Sequence, residues 1–370
     1  MTDRSNARAS SVVVVGGGYG GINAAKALDD VADVTLVDPT EAFVHNLAAW
    51  RALVEPEWLD RIFLPYEHLL QSGRFLRDRA VNVDGRRVTL ASGDVLEPEY
   101  LVLATGSSYP FPAKTEEPNI ASARLRFRGA HEALLAAERV LIVGAGPSGL
   151  ELAGEIKFFY PEKHVTIVDV ADDILTGPYD QALRDELRRQ LDELGVELRL
   201  GQALSALPAA APATLDTIRI TTADGTELVA DIWFRAFGVR PHSEYLDNGS
   251  PGSSRDERGY IRVDEHLRVV GETNVFAIGD VSDADRDTAG AASRQAEVVA
   301  ANIRALISGE GELTRWETLP AIIVIPLGPE GGAGILGDGV LDKATTAELK
   351  GRDLGSGHYA AFFDAPLKVT

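Results

Sequence analysis

Two glycine-rich turns have the spacing needed to bind a diphosphate. The first, in VVVVGGGYGGINAA, has Gly16, Gly18 and Gly21 at GxGxxG spacing, between a strand pattern and a helix pattern. The first glycine permits a tight turn, the second lets the backbone approach a pyrophosphate, and the third allows close packing of helix on strand. The helix N-terminus then offers unpaired N–H groups to the anion. We expect dinucleotide contacts from Gly16, Gly17, Gly18, Tyr19, Gly20 and Gly21.

A carboxylate follows each turn at the end of the next strand pattern. Asp38 ends the strand after the first turn, where it can accept hydrogen bonds from an adenosine ribose. Charge-assisted bonds of this kind contribute ~1.5 to 3 kcal/mol each. The fingerprint recurs in VLIVGAGPSGLELAGEI, and Asp169 ends the strand that follows. The second turn predicts a second nucleotide site, with contacts from Gly144, Gly146, Ser148, Gly149 and Asp169.

The residues after Asp169 bear on the choice of nucleotide. Asp172 and Asp173 follow it, and neither Arg nor Lys occurs before Arg184. A 2′-phosphate would therefore meet repulsion without a countercharge. The sequence favours NADH, with NADPH less suited, although Asp172 and Asp173 are also typical of an exposed loop.

Two further apolar segments end in glycine. These are YLVLATGS, residues 100–107, and NVFAIGDV, residues 274–281. Asp280 follows Gly279 at a strand end, where it can reach cofactor hydroxyls at the carboxyl edge of a sheet. The apolar helix predicted from about Ala289 to Leu306 can direct its N-terminus at a bound cofactor and stabilise negative charge there.

Strand and helix patterns alternate through most of the 370 residues, which predicts the α/β class. One βαβ unit begins at Ser11 and a second at Arg139, and two Pro- or Gly-rich linkers bracket the second. We therefore predict two Rossmann-like domains of the glutathione-reductase type, the second inserted in the first, and a small C-terminal α+β domain. The predicted boundaries are 10–115 with 255–310, 116–250, and 311–370.

Composition excludes several classes of function. A formal charge of −20 repels phosphate backbones, so we expect no nucleic-acid partner. The absence of cysteine excludes disulfides, Cys-ligated metals and a CxxC redox relay. The seven His residues lack spacing that would put two ligands on one helical face, so no metal is predicted. Gly146-Pro147-Ser148-Gly149 is not a GxSxG elbow, which argues against a hydrolase.

Location follows from the termini and from hydropathy. The segment MTDRSNARAS lacks the apolar region of a signal peptide, and Thr2 stands where myristoylation needs glycine. No apolar run approaches the ~20 residues that span a bilayer. The tail HYAAFFDAPLKVT is short and barely basic. We predict a cytoplasmic protein with at most peripheral contact to the inner face of the membrane; oligomeric state is not predicted.

Taken together, these motifs resemble those of the FAD-dependent pyridine-nucleotide oxidoreductases over nearly the whole chain. The segments VDPTEAFVHNLAAWRA, AGEIKFFYPEKHVTIV and ELKGRDL resemble the apoptosis-inducing-factor-like ferroptosis-suppressor group. That group is related to type II NADH dehydrogenases and passes electrons from a nicotinamide nucleotide through FAD to quinones. The resemblance implies FAD and NADH as cofactors and a quinone or similar small molecule as acceptor.

Matched positions imply the site residues. FAD contacts would come from Gly16 to Gly21, Asp38 and Arg51, the backbone near Ala80 and Val81, and Thr105, Gly106, Gly279 and Asp280. His45 and Asn46 either contact the flavin or pack beneath it. Gly238 would lie near the nicotinamide, although Phe234-Arg235-Ala236-Phe237-Gly238 departs from the family's Thr-Gly ending.

Glu155 and Lys350 are the candidate catalytic residues. Glu155 would face the nicotinamide, and Lys350 would polarise a quinone carbonyl or help close the pocket. Ordinary ion pairs or solvated side chains are the alternative for both. Two other functions stay open: reduction of a protein electron carrier of the ferredoxin type, and slow-turnover signalling by an NADH- and FAD-binding flavoprotein.

Overall fold

The computed structural model describes residues 10–285, 287–320, 322–337 and 339–365. The sequence predictions that involve the first nine and last five residues therefore lie partly outside the described residues. Parallel sheets and helices alternate along the chain, which confirms the α/β class.

Strands, several of them only two residues long, occur along most of the chain. In chain order they are β1 (Ser11–Val15), β2 (Asp33–Asp38), β3 (Ala42–Val44), β4 (Phe63–Pro65), β5 (Arg74–Arg77), β6 (Ala80–Asp84), β7 (Arg87–Leu90), β8 (Val95–Leu96), β9 (Tyr100–Leu103), β10 (Ser107–Ser108), β11 (Arg139–Val143), β12 (His164–Val168), β13 (Val196–Arg199), β14 (Ile218–Thr221), β15 (Glu227–Ala230), β16 (Ile232–Arg235), β17 (Arg240–Pro241), β18 (Val275–Ala277), β19 (Ile323–Pro326), β20 (Gly332–Ile335) and β21 (Val340–Leu341).

The helices vary from one turn to twenty residues. They are α1 (Tyr19–Leu28), α2 (Ala49–Val54), α3 (Leu59–Ile62), α4 (Ile120–Ala136), α5 (Pro147–Phe159), α6 (Gln181–Glu193), α7 (Ala289–Ser308), α8 (Lys343–Thr346) and α9 (Ser356–Phe362). A π-helical segment, Ala347–Gly351, continues α8. Short 3-10 turns cover Asn46–Ala48, Pro56–Trp58, Tyr66–His68, Glu244–Leu246, Ser250–Ser254 and Gly279–Val281.

The chain divides into two compact units. Unit 1 contains the described residues of Met1–Phe43, Leu64–Ser108 and Val239–Thr318. Its five-stranded sheet has the order β18-β9-β1-β2-β5, and all pairings in this sheet are parallel. Strand β1 is fully apolar after Ser11 because a central parallel strand is covered on both faces. Helices α1 and α7 contact each other, and the Arg304 guanidinium donates to the Ala27 carbonyl.

Unit 2 contains the described residues of Val44–Phe63, Tyr109–Gly238 and Leu319–Thr370. Its parallel sheet has the order β13-β12-β11-β16. The β14–β15 hairpin packs on one face of this sheet through residues that include Trp233 and Leu228. Gln190 of α6 exchanges two hydrogen bonds with Gly332 of β20, at 2.8 and 2.7 Å, which ties β20 to the sheet's helices.

This division differs from the predicted boundaries in several segments: residues 109–115 group with unit 2, and residues 239–250 and 311–318 group with unit 1. The sequence places residues 44–63 in the FAD-binding domain and 311–370 in a third domain, whereas Val44–Phe63 and Leu319–Thr370 group with unit 2. The nucleotide assigned to each segment stays a prediction.

The sequence of residues 260–263 predicts a strand, but the structure has only isolated bridges there. Ile261 pairs with Ser282 and Arg255 while Val263 pairs with Val269. Because Ile261 and Val263 pair with different segments of the chain, no continuous β-ladder forms.

Candidate functional site

In unit 1, the glycine-rich turn lies at the carboxyl end of β1. Gly16 has a φ of +105°, and a Cβ there would lie 2.2 Å from the Ala104 carbonyl oxygen. A Cβ on Gly21 would lie 1.8 Å from the Gly16 oxygen, so helix and strand approach too closely for a side chain. A Cβ on Gly18 would meet no atom within 4 Å. The turn thus opens at the position where a diphosphate is expected to approach.

Asp38 braces this turn. Its Oδ2 accepts the Gly17 N–H at 2.7 Å, and its Oδ1 accepts the Thr40 N–H at 2.8 Å. Burial raises the pKa of the Asp38 carboxyl, while the bonds from Thr40 and Gly17 oppose the rise. Tyr66 also contacts this turn and donates its hydroxyl to the Gly17 carbonyl at 2.9 Å.

Unit 2 repeats this geometry at the carboxyl end of β11. Gly144 has a φ of +116°, and a Cβ on Gly149 would lie 2.0 Å from the Gly144 oxygen. A Cβ on Gly146 would meet no atom within 4 Å. Asp169 Oδ2 accepts the Ala145 N–H at 2.6 Å and Oδ1 accepts the Ala171 N–H at 2.8 Å. Each carboxylate therefore accepts the N–H of the residue after the first glycine of its turn and the N–H two residues after itself.

Both turns lead into helices whose N-termini have no side-chain cap. The N-cap residues are Gly18 for α1 and Gly146 for α5, and neither helix has an acidic residue in its first turn. In contrast, Asn119 and Thr288 cap α4 and α7 through their side chains. The uncapped N–H groups and the positive end of the helix dipole are available to an anion.

Several other predicted FAD residues lie in unit 1. Thr105 Oγ1 donates to the His242 carbonyl at 2.6 Å, which joins the end of β9 to a later segment. Ser107 Oγ donates to Asp280 at 2.7 Å, and the Gly279 N–H donates to Gln295 of α7 at 2.6 Å. The N-terminal part of α7 therefore contacts the Gly279–Val281 turn, although its orientation toward a flavin stays a prediction.

The remaining predicted positions of unit 1 are backbone sites. Gly106 has a φ of +65°, and its carbonyl accepts the His242 N–H at 2.9 Å. A register shift lies between Ala80 and Asn82 of β6, and Val81 is 47% exposed. Tyr19 begins α1 and contacts the Phe43 ring edge-on, while a Cβ on Gly20 would lie 3.2 Å from Ile278.

The structure pairs Arg51, a predicted FAD contact, with Glu155, a candidate catalytic residue. Arg51 Nε donates to Glu155 Oε2 at 2.6 Å, and Nη2 donates to Oε1 at 2.9 Å. Nη2 also donates to the Gly351 carbonyl at 3.0 Å. Both side chains are almost fully buried in unit 2, and Trp58 and Phe159 face the guanidinium. Burial raises the pKa of the Glu155 carboxyl, and the Arg51 charge opposes the rise.

Lys350, the other candidate catalytic residue, contacts Glu151 and not Glu155. Its Nζ donates to Glu151 Oε1 at 2.7 Å and to the Val324 carbonyl at 3.0 Å. The Lys350 side chain is 21% exposed and the Glu151 side chain 15%. Because α5 carries Glu151 and Glu155 one turn apart, a partly accessible ion pair and a buried one share one helix.

His45 and Asn46 also belong to unit 2. His45 is fully buried, and its Nε2 lies 2.9 Å from the Leu354 carbonyl, to which the ring N–H donates. Burial lowers the pKa of His45 to about 4. The Asn46 side-chain oxygen is buried without a hydrogen-bond partner among the described residues.

Sequence reasoning missed three contributors to these arrangements. Tyr66 and Ser107 bond predicted site residues; Tyr66 lies outside the motifs, and Ser107 ends the segment YLVLATGS without being predicted as a contact. Glu151 is the third, and it lies within the second glycine-rich segment, VLIVGAGPSGLELAGEI. The spacing of Glu151 from the fingerprint places it on the first turns of α5, which is the one sequence signal that points to it.

Two general properties bear on the class of site. The described part of the chain holds no cluster of three or more His, Asp or Glu arranged to bind a metal. None of its helices is both long and apolar enough to cross a bilayer.

Comparisons with known proteins agree with this geometry. A family model described as "Pyridine nucleotide-disulphide oxidoreductase" matches residues 10–296. Apoptosis-inducing factor homolog B of Dictyostelium discoideum is 31% identical over 87% of this chain and 88% of its own. Human ferroptosis suppressor protein 1 is 30% identical over 93% of both chains. The sulfide:quinone oxidoreductase of Aquifex aeolicus superposes with a TM-score of 0.73 at 19% identity, over 98% of this chain and 96% of its own.

Proposed function

The chain belongs to the pyridine nucleotide-disulphide oxidoreductase family, a family of FAD-dependent oxidoreductases, and we propose that it transfers electrons from NADH through FAD to a quinone or similar small acceptor. In this proposal unit 1 carries the FAD turn and unit 2 the NADH turn.

The observation that carries the proposal is the duplicated turn. Asp38 and Asp169 accept equivalent backbone N–H groups, from Gly17 and Ala145. Two separate glycine-rich turns, each with its carboxylate, fit a reaction between two dinucleotides better than a reaction that uses a single dinucleotide. A single-nucleotide dehydrogenase or kinase would leave the second turn without a ligand.

The residues of unit 1 fit FAD. The space beside Gly18 and the uncapped N-terminus of α1 suit its diphosphate, while Asp38 lies at the strand end where the adenosine ribose is expected. Thr105 and Asp280 are already held by hydrogen bonds, so their positions do not depend on a ligand to form.

FAD would supply the redox chemistry by accepting a hydride from NADH and releasing two electrons to the acceptor. The protein's part is to bind and orient the two nucleotides and to stabilise charge. Asp169 would select NADH because its carboxylate favours a ribose hydroxyl and repels a 2′-phosphate. Lys350, held by Glu151, would present a cation to an acceptor carbonyl.

The absence of cysteine limits the acceptor. With no dithiol in the 370 residues, electrons cannot leave through a disulfide of this chain. A small acceptor that takes electrons directly satisfies this restriction. The net charge of −20 also opposes docking of an acidic ferredoxin.

The test is a stopped-flow acceptor screen of the NADH-reduced protein. Menadione and several other quinones, a ferredoxin and molecular oxygen are mixed in turn with the reduced protein, and flavin reoxidation is recorded. Rapid reoxidation by quinones, with slow reoxidation by oxygen and ferredoxin, is the expected result. Rapid reoxidation by ferredoxin alone would replace the quinone proposal, and slow reoxidation by every acceptor would favour a signalling flavoprotein.

A further inference from the structure

Arg235 ends β16 beside the second glycine-rich turn. Arg235 pairs in register with Val143, which is the last residue of β11 and directly precedes Gly144. The neighbouring Ala236 packs directly beneath the turn, because a Cβ on Gly144 would lie 2.6 Å from the Ala236 oxygen. The strand end that carries Arg235 therefore borders the proposed NADH site.

The Arg235 guanidinium lies beside the residues that directly follow β16. It lies over the Phe237 ring, with Cζ 4.5 Å from the ring centroid, and a Cβ on Gly238 would lie 2.7 Å from Arg235 Nη2. Its Nε is buried and has no hydrogen-bond partner among the described residues. A buried donor of this kind costs stability unless a ligand or water satisfies it.

The surroundings also connect Arg235 with the N-terminus of α5. Ser148 and Glu151 of that helix and the Arg235 charge all act on the pKa of the Tyr109 hydroxyl. Burial is the largest cause of the raised pKa of Tyr109, and the Arg235 charge opposes it. A cation thus faces the same region as the open helix terminus.

We infer that Arg235 binds the phosphate on the nicotinamide side of the NADH diphosphate, an inference that rests on the proposed function of unit 2. Arg suits this role because its planar guanidinium donates two parallel N–H bonds to phosphate oxygens. The turn and α5 supply backbone N–H groups, and Arg235 supplies the full positive charge that they lack.

Sheet order decides which phosphate it contacts. In the order β13-β12-β11-β16, Asp169 follows β12 and Arg235 ends β16, on opposite sides of β11. The adenosine ribose belongs on the Asp169 side. Arg235 therefore lies on the far side of the turn from any 2′-phosphate, next to the half of the dinucleotide that carries nicotinamide.

The test is calorimetric binding to the FAD-loaded protein with three variants. Arg235→Met removes the charge, Arg235→Lys retains it without the planar fork, and Arg219→Met removes an exposed arginine of the same unit as a control. The titrants are ADP-ribose, which has both phosphates but no nicotinamide, and AMP, which has only the adenosine-side phosphate. Flavin content per protein is measured on each variant to confirm an intact unit 1.

Arg235→Met should bind ADP-ribose at least about tenfold more weakly, the loss expected for one charge-assisted bond, with AMP affinity unchanged. Arg235→Lys should recover part of the loss, and Arg219→Met should match the wild type. Equal ADP-ribose affinity in Arg235→Met and wild type would overturn the inference and leave the proposed function intact. An equal loss for AMP would also overturn it. A wild type that does not bind ADP-ribose would contradict the proposed function itself.

Discussion

Arg51 and Glu155 form a bidentate ion pair inside unit 2, with donor–acceptor distances of 2.6 and 2.9 Å. The resemblance assigned Arg51 to flavin binding and Glu155 to catalysis. Their mutual pairing, together with burial of both side chains, indicates a structural contribution that exists before either meets a ligand.

Breaking this pair should destabilise the protein strongly. Arg51→Met would leave the Glu155 carboxylate buried without its partner, which we expect to lower the free energy of unfolding by about 3 to 5 kcal/mol. Urea denaturation measures the change. The double variant Arg51→Met with Glu155→Leu should recover most of the loss, because no uncompensated charge remains; equal instability of single and double variants would contradict this explanation.

Lys350→Met should impair the acceptor step and spare the NADH step. Removing a positioned cation from an acceptor carbonyl is expected to slow flavin reoxidation by a quinone about a hundredfold. Stopped-flow measurement separates the two half-reactions. Lys343→Met is the matched control, since Lys343 pairs with Glu193 on the exposed surface of the same unit. Loss in both half-reactions, or in neither, would remove Lys350 from the acceptor step.

Asp169→Asn should weaken the discrimination between the two nicotinamide nucleotides. The variant loses the charge that repels a 2′-phosphate and accepts ribose bonds less strongly, so the ratio of kcat/KM for NADH to that for NADPH should fall at least about tenfold. Asp172→Asn changes a nearby exposed carboxylate and should leave the ratio unchanged. A wild type that uses NADPH as efficiently as NADH would refute the argument from Asp169.

His45 should make stability depend on pH in the acid range. Its pKa falls from 6.5 to about 4 in the folded protein, so between these values the unfolded chain binds more protons. The free energy of unfolding should therefore decrease as pH falls through this window, by on the order of 3 kcal/mol in all. Urea titrations at several pH values should show a shallower decrease for His45→Gln. An identical pH dependence in both proteins would exclude His45 as the cause.

The sequence predicts local structure well where one motif contains all the constraints. The strand, tight turn and helix around Gly16 and Gly144 are contiguous, and the structure has each of them. The carboxylates also follow from position, because a residue that ends the next parallel strand must lie beside the turn. Positions 21 and 149 require glycine because a Cβ there would collide with the turn. The GxGxxG spacing predicts this requirement.

Long-range side-chain pairing is what the sequence conceals. Arg51 and Glu155 are 104 positions apart, and Lys350 and Glu151 are 199 apart, so no periodicity relates them. Arg235 appeared only as a departure from a family pattern. Its burial and its contact with Phe237 emerge once β16 is placed beside β11. The partners of a charged side chain depend on tertiary packing, which local patterns do not encode.

In the proposed reaction, two dinucleotides act in sequence on this chain. An anaerobic titration of the purified, FAD-incubated protein with NADH, followed by its visible absorbance, tests it directly. We predict a yellow protein with about one FAD per chain and stoichiometric bleaching of the flavin band by NADH. A protein that stays colourless after incubation with FAD, or whose bound flavin keeps its absorbance in excess NADH, would contradict the account.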